Sequence, residues 1–101
     1  MFLLAAALAA SNPMPAHDAY QSCIVDQAVR LGSSNAETAD TILRAVRSVC
    51  EPQWAALQQA MPGGTGVASW EQIRAGTLAN WRTEAENAAV AALLEARAKR
   101  P

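Results

Sequence analysis

The chain is predicted to be all-α, a small three-helix bundle made of a helical hairpin and one long C-terminal helix. Three observations lead there. Apolar residues make up 51% of the 101 positions and are dominated by alanine, while aromatics reach only 5%, a balance that favours helix over strand. Apolar positions recur at three- and four-residue spacing over most of the chain, the period of a helix with one buried face. One Gly/Pro cluster, Pro62-Gly63-Gly64-Thr65-Gly66, interrupts that period, and no hairpin signal or internal repeat accompanies it. The length bounds the molecule to one compact domain.

The first ten residues, MFLLAAALAA, are apolar and uncharged. Such a run is too short for a hydrocarbon core that needs about 20 residues, and it matches the apolar centre of a signal peptide. Residues 1–16 are therefore read as a signal peptide cleaved near 10–16, with Ala10, Ser11 and Ala16 as candidate cut points. Residues 17–101 are read as a single helical domain. No Lys or Arg precedes the apolar run, so the signal is either weak or begins upstream.

Residues 16–31 form the first predicted helix. Tyr20, Cys23, Ile24, Ala28 and Leu31 share a face, and Gly32 supplies a stop. Ser34-Asn35-Ala36-Glu37 has capping-box spacing and is expected to open the second helix. Its stripe runs through Ala39, Ile42, Leu43, Val46, Val49 and Cys50 and continues to Trp54, Leu57 and Met61, with Pro52 forcing a kink or a fresh start near Glu51. A loop is expected at 62–68. Ser69-Trp70-Glu71-Gln72 repeats the capping-box spacing and is expected to open the longest helix, over about 70–99. Trp70, Ile73, Thr77, Trp81, Ala85, Ala88 and Ala92 fall on one of its faces. Val90, Leu93 and Leu94 point elsewhere and, with Arg97, form the candidate partner-contact patch. Asp26/Arg30, Asp40/Arg44 and Glu95/Lys99 are acid-before-base pairs at i,i+4 and read as solvated helix supports.

An even cysteine count in a small exported chain reads as a disulfide, which makes Cys23 and Cys50 the candidate bridge. Measured from a short turn at 32–35 the two lie out of register by roughly 9 Å at 1.5 Å per residue, so the second helix must start late, cross at an angle or bend. Two buried thiols, or thiols with a function, are the alternatives. A redox pair normally sits two residues apart at a helix N-terminus, where the thiol pKa is lowered, and these do not.

Other chemistry finds little support. Eight Lys/Arg against nine Asp/Glu leave a formal charge of −1, which lacks the clustered cations that nucleic-acid binding needs. His17 is the only histidine and reads as an exposed tail residue, so no nucleophile–base triad can be assembled. A zinc site of His17, Cys23, Cys50 and a carboxylate, or a copper site of Met14 and His17, is outweighed by that reading because such sites gather more ligands. Glu84 and Glu86 point apart on one helix and form no dyad. Gly63-Gly64-Thr65-Gly66 resembles a phosphate loop but is followed by Val67 where a Lys is required. Trp54, Trp70 and Trp81 are read as core residues rather than a ligand cage.

Tyr20-Gln21-Ser22-Cys23, the Gly/Ser turn, and the pattern Ala39, Ile42, Ala45, Val46, Cys50 before a Trp/Leu helix resemble a group of small Ala-rich exported proteins of Gram-negative bacteria. The resemblance covers residues 20–57. It implies export, an all-helical structure and pairing of Cys23 with Cys50, and it carries no activity. The expectation is therefore a non-enzymatic module, periplasmic or secreted, that binds an unidentified protein partner, itself or the envelope surface. No cofactor, metal or nucleic acid is expected, and no membrane span after signal cleavage. Membrane-surface contact ranks lower, because no basic stripe accompanies Val90, Leu93 and Leu94. The rival expectation is a periplasmic thiol-redox or metal-binding protein using Cys23, Cys50 and His17.

Overall fold

The computed structural model describes residues 12–63 and 66–100. Among the described residues four helices follow one another: α1 Met14–Gly32, α2 Ala39–Val49, α3 Glu51–Ala60 and α4 Ala68–Ala98. Among the described residues there is no strand, and no helix is long and apolar enough to cross a membrane. The all-α expectation holds, with four helices among the described residues rather than three. Pro52 makes the difference: it sits in the first turn of α3, where its missing N–H leaves no hydrogen bond unmade, and the backbone turns at Cys50. Residues 1–11 of the expected signal peptide lie outside the described residues, as do 64–65 of the expected loop.

Both expected capping boxes are displaced. α2 is capped by Thr38, whose hydroxyl accepts from the Thr41 amide at 3.2 Å. Ser34-Asn35-Ala36-Glu37 instead falls in the connection, where Asn35 donates to the Leu31 carbonyl and accepts from the Glu37 amide. α4 starts at Ala68, so Ser69 is already inside it. A hydroxyl three residues ahead of a Glu or Gln satisfies amides only at the first turn of a helix, and here tertiary packing shifted where α2 and α4 begin.

The late start of α2 brings the cysteines into register. Cys23 lies nine residues before the end of α1 and Cys50 eleven after the start of α2. The two-residue difference is about 3 Å at 1.5 Å per residue, well below what a start at the turn would leave. Cys23 and Cys50 are joined, with Cα atoms 6.0 Å apart.

α1 is the central element: α2, α3 and α4 all pack on it, most extensively α4. The core takes Tyr20, Ile24 and Ala28 from α1, Ile42 and Val46 from α2, and Cys50 between α2 and α3. Leu57 of α3 and Met61 close it at one end, and Leu78, Ala85, Ala89 and Leu93 come from α4. Alanines on α4 let its backbone approach α1 closely. Gly32 is the tightest point, where an added Cβ would stand 2.6 Å from Leu93 Cδ1 and 3.2 Å from Ile42 Cγ1. Its lack of a side chain thus serves packing. The α1 stop is made by Ser33 in ordinary right-handed backbone, not by a left-handed glycine.

On α4 the inward line runs Leu78, Ala85, Ala89, Leu93. This corrects the expected stripe: Ile73 is 58% exposed, and Trp70 is half-buried outside the core, donating its indole N–H to the Pro62 carbonyl at 3.2 Å. Alanine is small enough to sit on either side of a helix, so in an alanine-rich segment the two leucines decide the rotation.

Candidate functional site: an arginine groove between α3 and α4

α3 and α4 each lean on α1 and touch one another little. Leu57 takes the inward side of α3 and leaves Trp54 and Gln58 facing α4, while Ala75 and Ala79 are too short to fill the space. The result is an open groove of about 420 Å³ with Leu78 in its lining, walled by Trp54 and Thr83 and carrying Arg74 and Arg82.

Arg82 is held by a polar cluster behind the groove. Glu86 accepts a two-pronged bond from Arg47, at 2.9 Å from Nε and 2.7 Å from Nη2, and a longer one of 3.3 Å from Arg82 Nε. Arg82 also lies 5.1 Å over the Trp54 ring, and its charge acts on the buried Tyr20 phenol. Tyr20 packs its ring 5.0 Å from that of Trp54. The hydrogen bond from Arg47 holds the Glu86 carboxyl below its ordinary range against the opposing pull of burial, and the same bond raises Arg47. Burial pushes the Tyr20 phenol up, with Arg82 and Arg47 opposing.

Arg74 reaches the groove from one end. Its Nη2 donates to the Gln58 carbonyl in the last turn of α3, and its Nε is buried without a partner among the described residues. Gly63 lets it lie there, since a Cβ at that position would come within 3.0 Å of Nε. Two guanidiniums share the single Glu86 carboxylate, and Arg74 stands in no ion pair among the described residues. The groove and the cluster behind it therefore hold three arginines against one carboxylate, a surplus of two positive charges. Such a surface can hold oxyanions by forked hydrogen bonds, with an apolar neighbour for the attached chain.

The outer side of α1 has the opposite character. Asp18, Gln21, Ser22, Val25 and Asp26 form one surface turned away from the core residues Tyr20, Ile24 and Ala28. Asp18 and Asp26 are exposed, and neither meets a Lys or Arg among the described residues; the expected Asp26–Arg30 pair does not form, whereas Asp40–Arg44 and Glu95–Lys99 do.

The patch expected from sequence is divided. Leu94 is 54% exposed, Leu93 is 1% exposed in the core, and Val90 is half-buried. Arg97 serves the fold: it donates to the Gly32 carbonyl at 3.0 Å and the Glu37 carbonyl at 2.6 Å, holding the α1–α2 connection against α4. His17 also departs from expectation, with its side chain 14% exposed in α1 and its ring 4.7 Å from Trp81, edge to face. Cys23 and Cys50 are both in the bridge, and among the described residues no three His, Cys, Asp or Glu side chains gather as a metal site. Sequence reading missed Arg47, Arg74, Arg82 and Glu86. The one available signal was the i,i+4 spacing of Arg82 and Glu86; the partner from α2 is 39 residues away and had none. No family model, curated protein or solved structure matches this chain.

Proposed function

We propose that this chain is a non-enzymatic, exported binding module that holds an acidic protein segment in the α3–α4 groove. The observation that carries the reading is the surplus of arginine charge on a groove with an aromatic wall and a leucine beneath it. The groove is open along its length rather than enclosed, a shape that suits the side chains of a docked segment. The Cys23–Cys50 bridge supports an oxidising compartment, hence periplasm or secretion. The apolar first ten residues support export by a signal peptide.

A synthetic helical peptide carrying two aspartates eight residues apart, titrated calorimetrically at low salt, tests the reading. Binding is expected, and Arg74→Ala should weaken it about tenfold, the loss of one charged hydrogen-bond partner. Arg44→Ala, on the exposed side of α2, should leave it unchanged. Absence of binding, or equal binding by the Arg74 variant, overturns the reading.

A further inference from the structure

Building on that reading, we propose that the acidic segment is α1 of a second copy of this chain, so that the protein assembles head to tail. Asp18 and Asp26 are eight residues apart on one helix, about 12 Å along its axis. Arg74 and Arg82 are eight residues apart on another, at the same about 12 Å. Each surface also carries an aliphatic side chain, Val25 beside Asp26 on α1 and Leu78, 5% exposed at the floor of the groove, on α4. The charges match in number as well as spacing: among the described residues Asp26 meets no Lys or Arg and Asp18 meets only the His17 ring, 3.1 Å from Nδ1, and these two exposed carboxylates answer the surplus of two cations in the groove and the cluster behind it. Both spacings are set by rigid helices, so little ordering is needed on contact.

The two surfaces belong to different sides of the bundle. α3 and α4 pack on the inward side of α1, whereas the carboxylates occupy its outward side. The contact is therefore heterologous: a copy that offers its α1 to a neighbour keeps its own groove open for the next. Association should be weak and salt-dependent, as expected of exposed ion pairs.

Sedimentation equilibrium of the full chain tests this. At about 0.05 M salt the mean mass should rise with concentration, and at about 0.5 M salt, where the screening length falls severalfold, it should return to that of a monomer. Asp18→Asn with Asp26→Asn removes the acidic face and leaves the groove; Arg74→Ala weakens the groove and leaves the face. Each variant alone should associate at least about tenfold less tightly than the parent. Mixed, they should form one-to-one dimers that grow no further, because each supplies the surface the other lacks. Both aspartates are exposed, so an unchanged circular dichroism spectrum verifies that the double variant is folded. A parent chain that stays monomeric up to about 1 mM at low salt, or that associates equally well without Asp18 and Asp26, overturns the proposal. If the parent is monomeric yet still binds the aspartate peptide, self-assembly fails and the groove function stands. If neither occurs, both fail.

Discussion

Glu86 shows how one side chain couples three elements. Its carboxylate takes bonds from Arg47 of α2 and Arg82 of α4, and Arg82 in turn lies over the Trp54 ring of α3. Because its folded-state pKa is lowered below the ordinary 4.5, Glu86 stabilises the fold above that value, and the contribution disappears as pH falls below 4.5 through the folded-state value. Thermal unfolding should therefore lose midpoint on acidification through this window, and Glu86→Gln should flatten that loss. At neutral pH the substitution should cost about 1–2 kcal/mol, toward the low end for a charged hydrogen bond because Arg47 and Arg82 are more than a third exposed. Parallel acid titration profiles of the two proteins would reveal an error here.

At the scale of elements, the fit of α4 against the end of α1 depends on adjacent leucines that face opposite ways. Leu93 is buried against the bare backbone of Gly32, and Leu94 faces solvent. Leu93→Ala should cost about 2–5 kcal/mol in urea unfolding, whereas Leu94→Ala should stay within about 0.5 kcal/mol. Equal losses would mean that α4 is rotated relative to this packing. Gly32→Ala belongs to the same test, since a methyl must displace Leu93 or Ile42 at a cost of about 1–3 kcal/mol.

For the whole molecule, the Cys23–Cys50 bridge closes a loop across α1, its connection and α2, with a sequence separation of 27. In the chain-entropy view a loop of that size adds about 3.5 kcal/mol, a large share of the stability of a domain this small. Cys23→Ala with Cys50→Ala should lower unfolding free energy by that amount, and the intact mass of protein from its native compartment should show no alkylatable thiol. Under the export we propose, that spectrum also reads where the signal peptide is cut. A cut after Ala10 or Ser11 leaves α1 whole, whereas a cut after Ala16 removes its first turn, loses the His17 amide bond to the Pro13 carbonyl and deletes Ala16 from the core margin. The mature chain is expected to begin at Ser11 or Asn12, and a start at His17 would contradict this.

The sequence alone determined the helical class, the break near Glu51, the extent of α1 to within two residues and the candidate bridge. Each depends on local chemistry: alanine content, apolar period, the missing amide of Pro52, the pairing of the two cysteines. Tertiary structure decided the rest. The rotation of α4 was illegible because Ala85, Ala88, Ala89 and Ala92 look alike to a periodicity argument, and only contact with α1 separates Ala85 and Ala89 as buried. The capping boxes read correctly as chemistry but fell at the wrong places, because Thr38 and Val67 are where packing lets a helix begin. Arg97 looked like a surface cation until the carbonyls of residues 32 and 37 came within its reach. Of the arginine groove only the i,i+4 spacing of Arg82 and Glu86 was legible: Arg47 and Glu86 are 39 residues apart, and a charge imbalance between distant segments exists only once the fold brings them together.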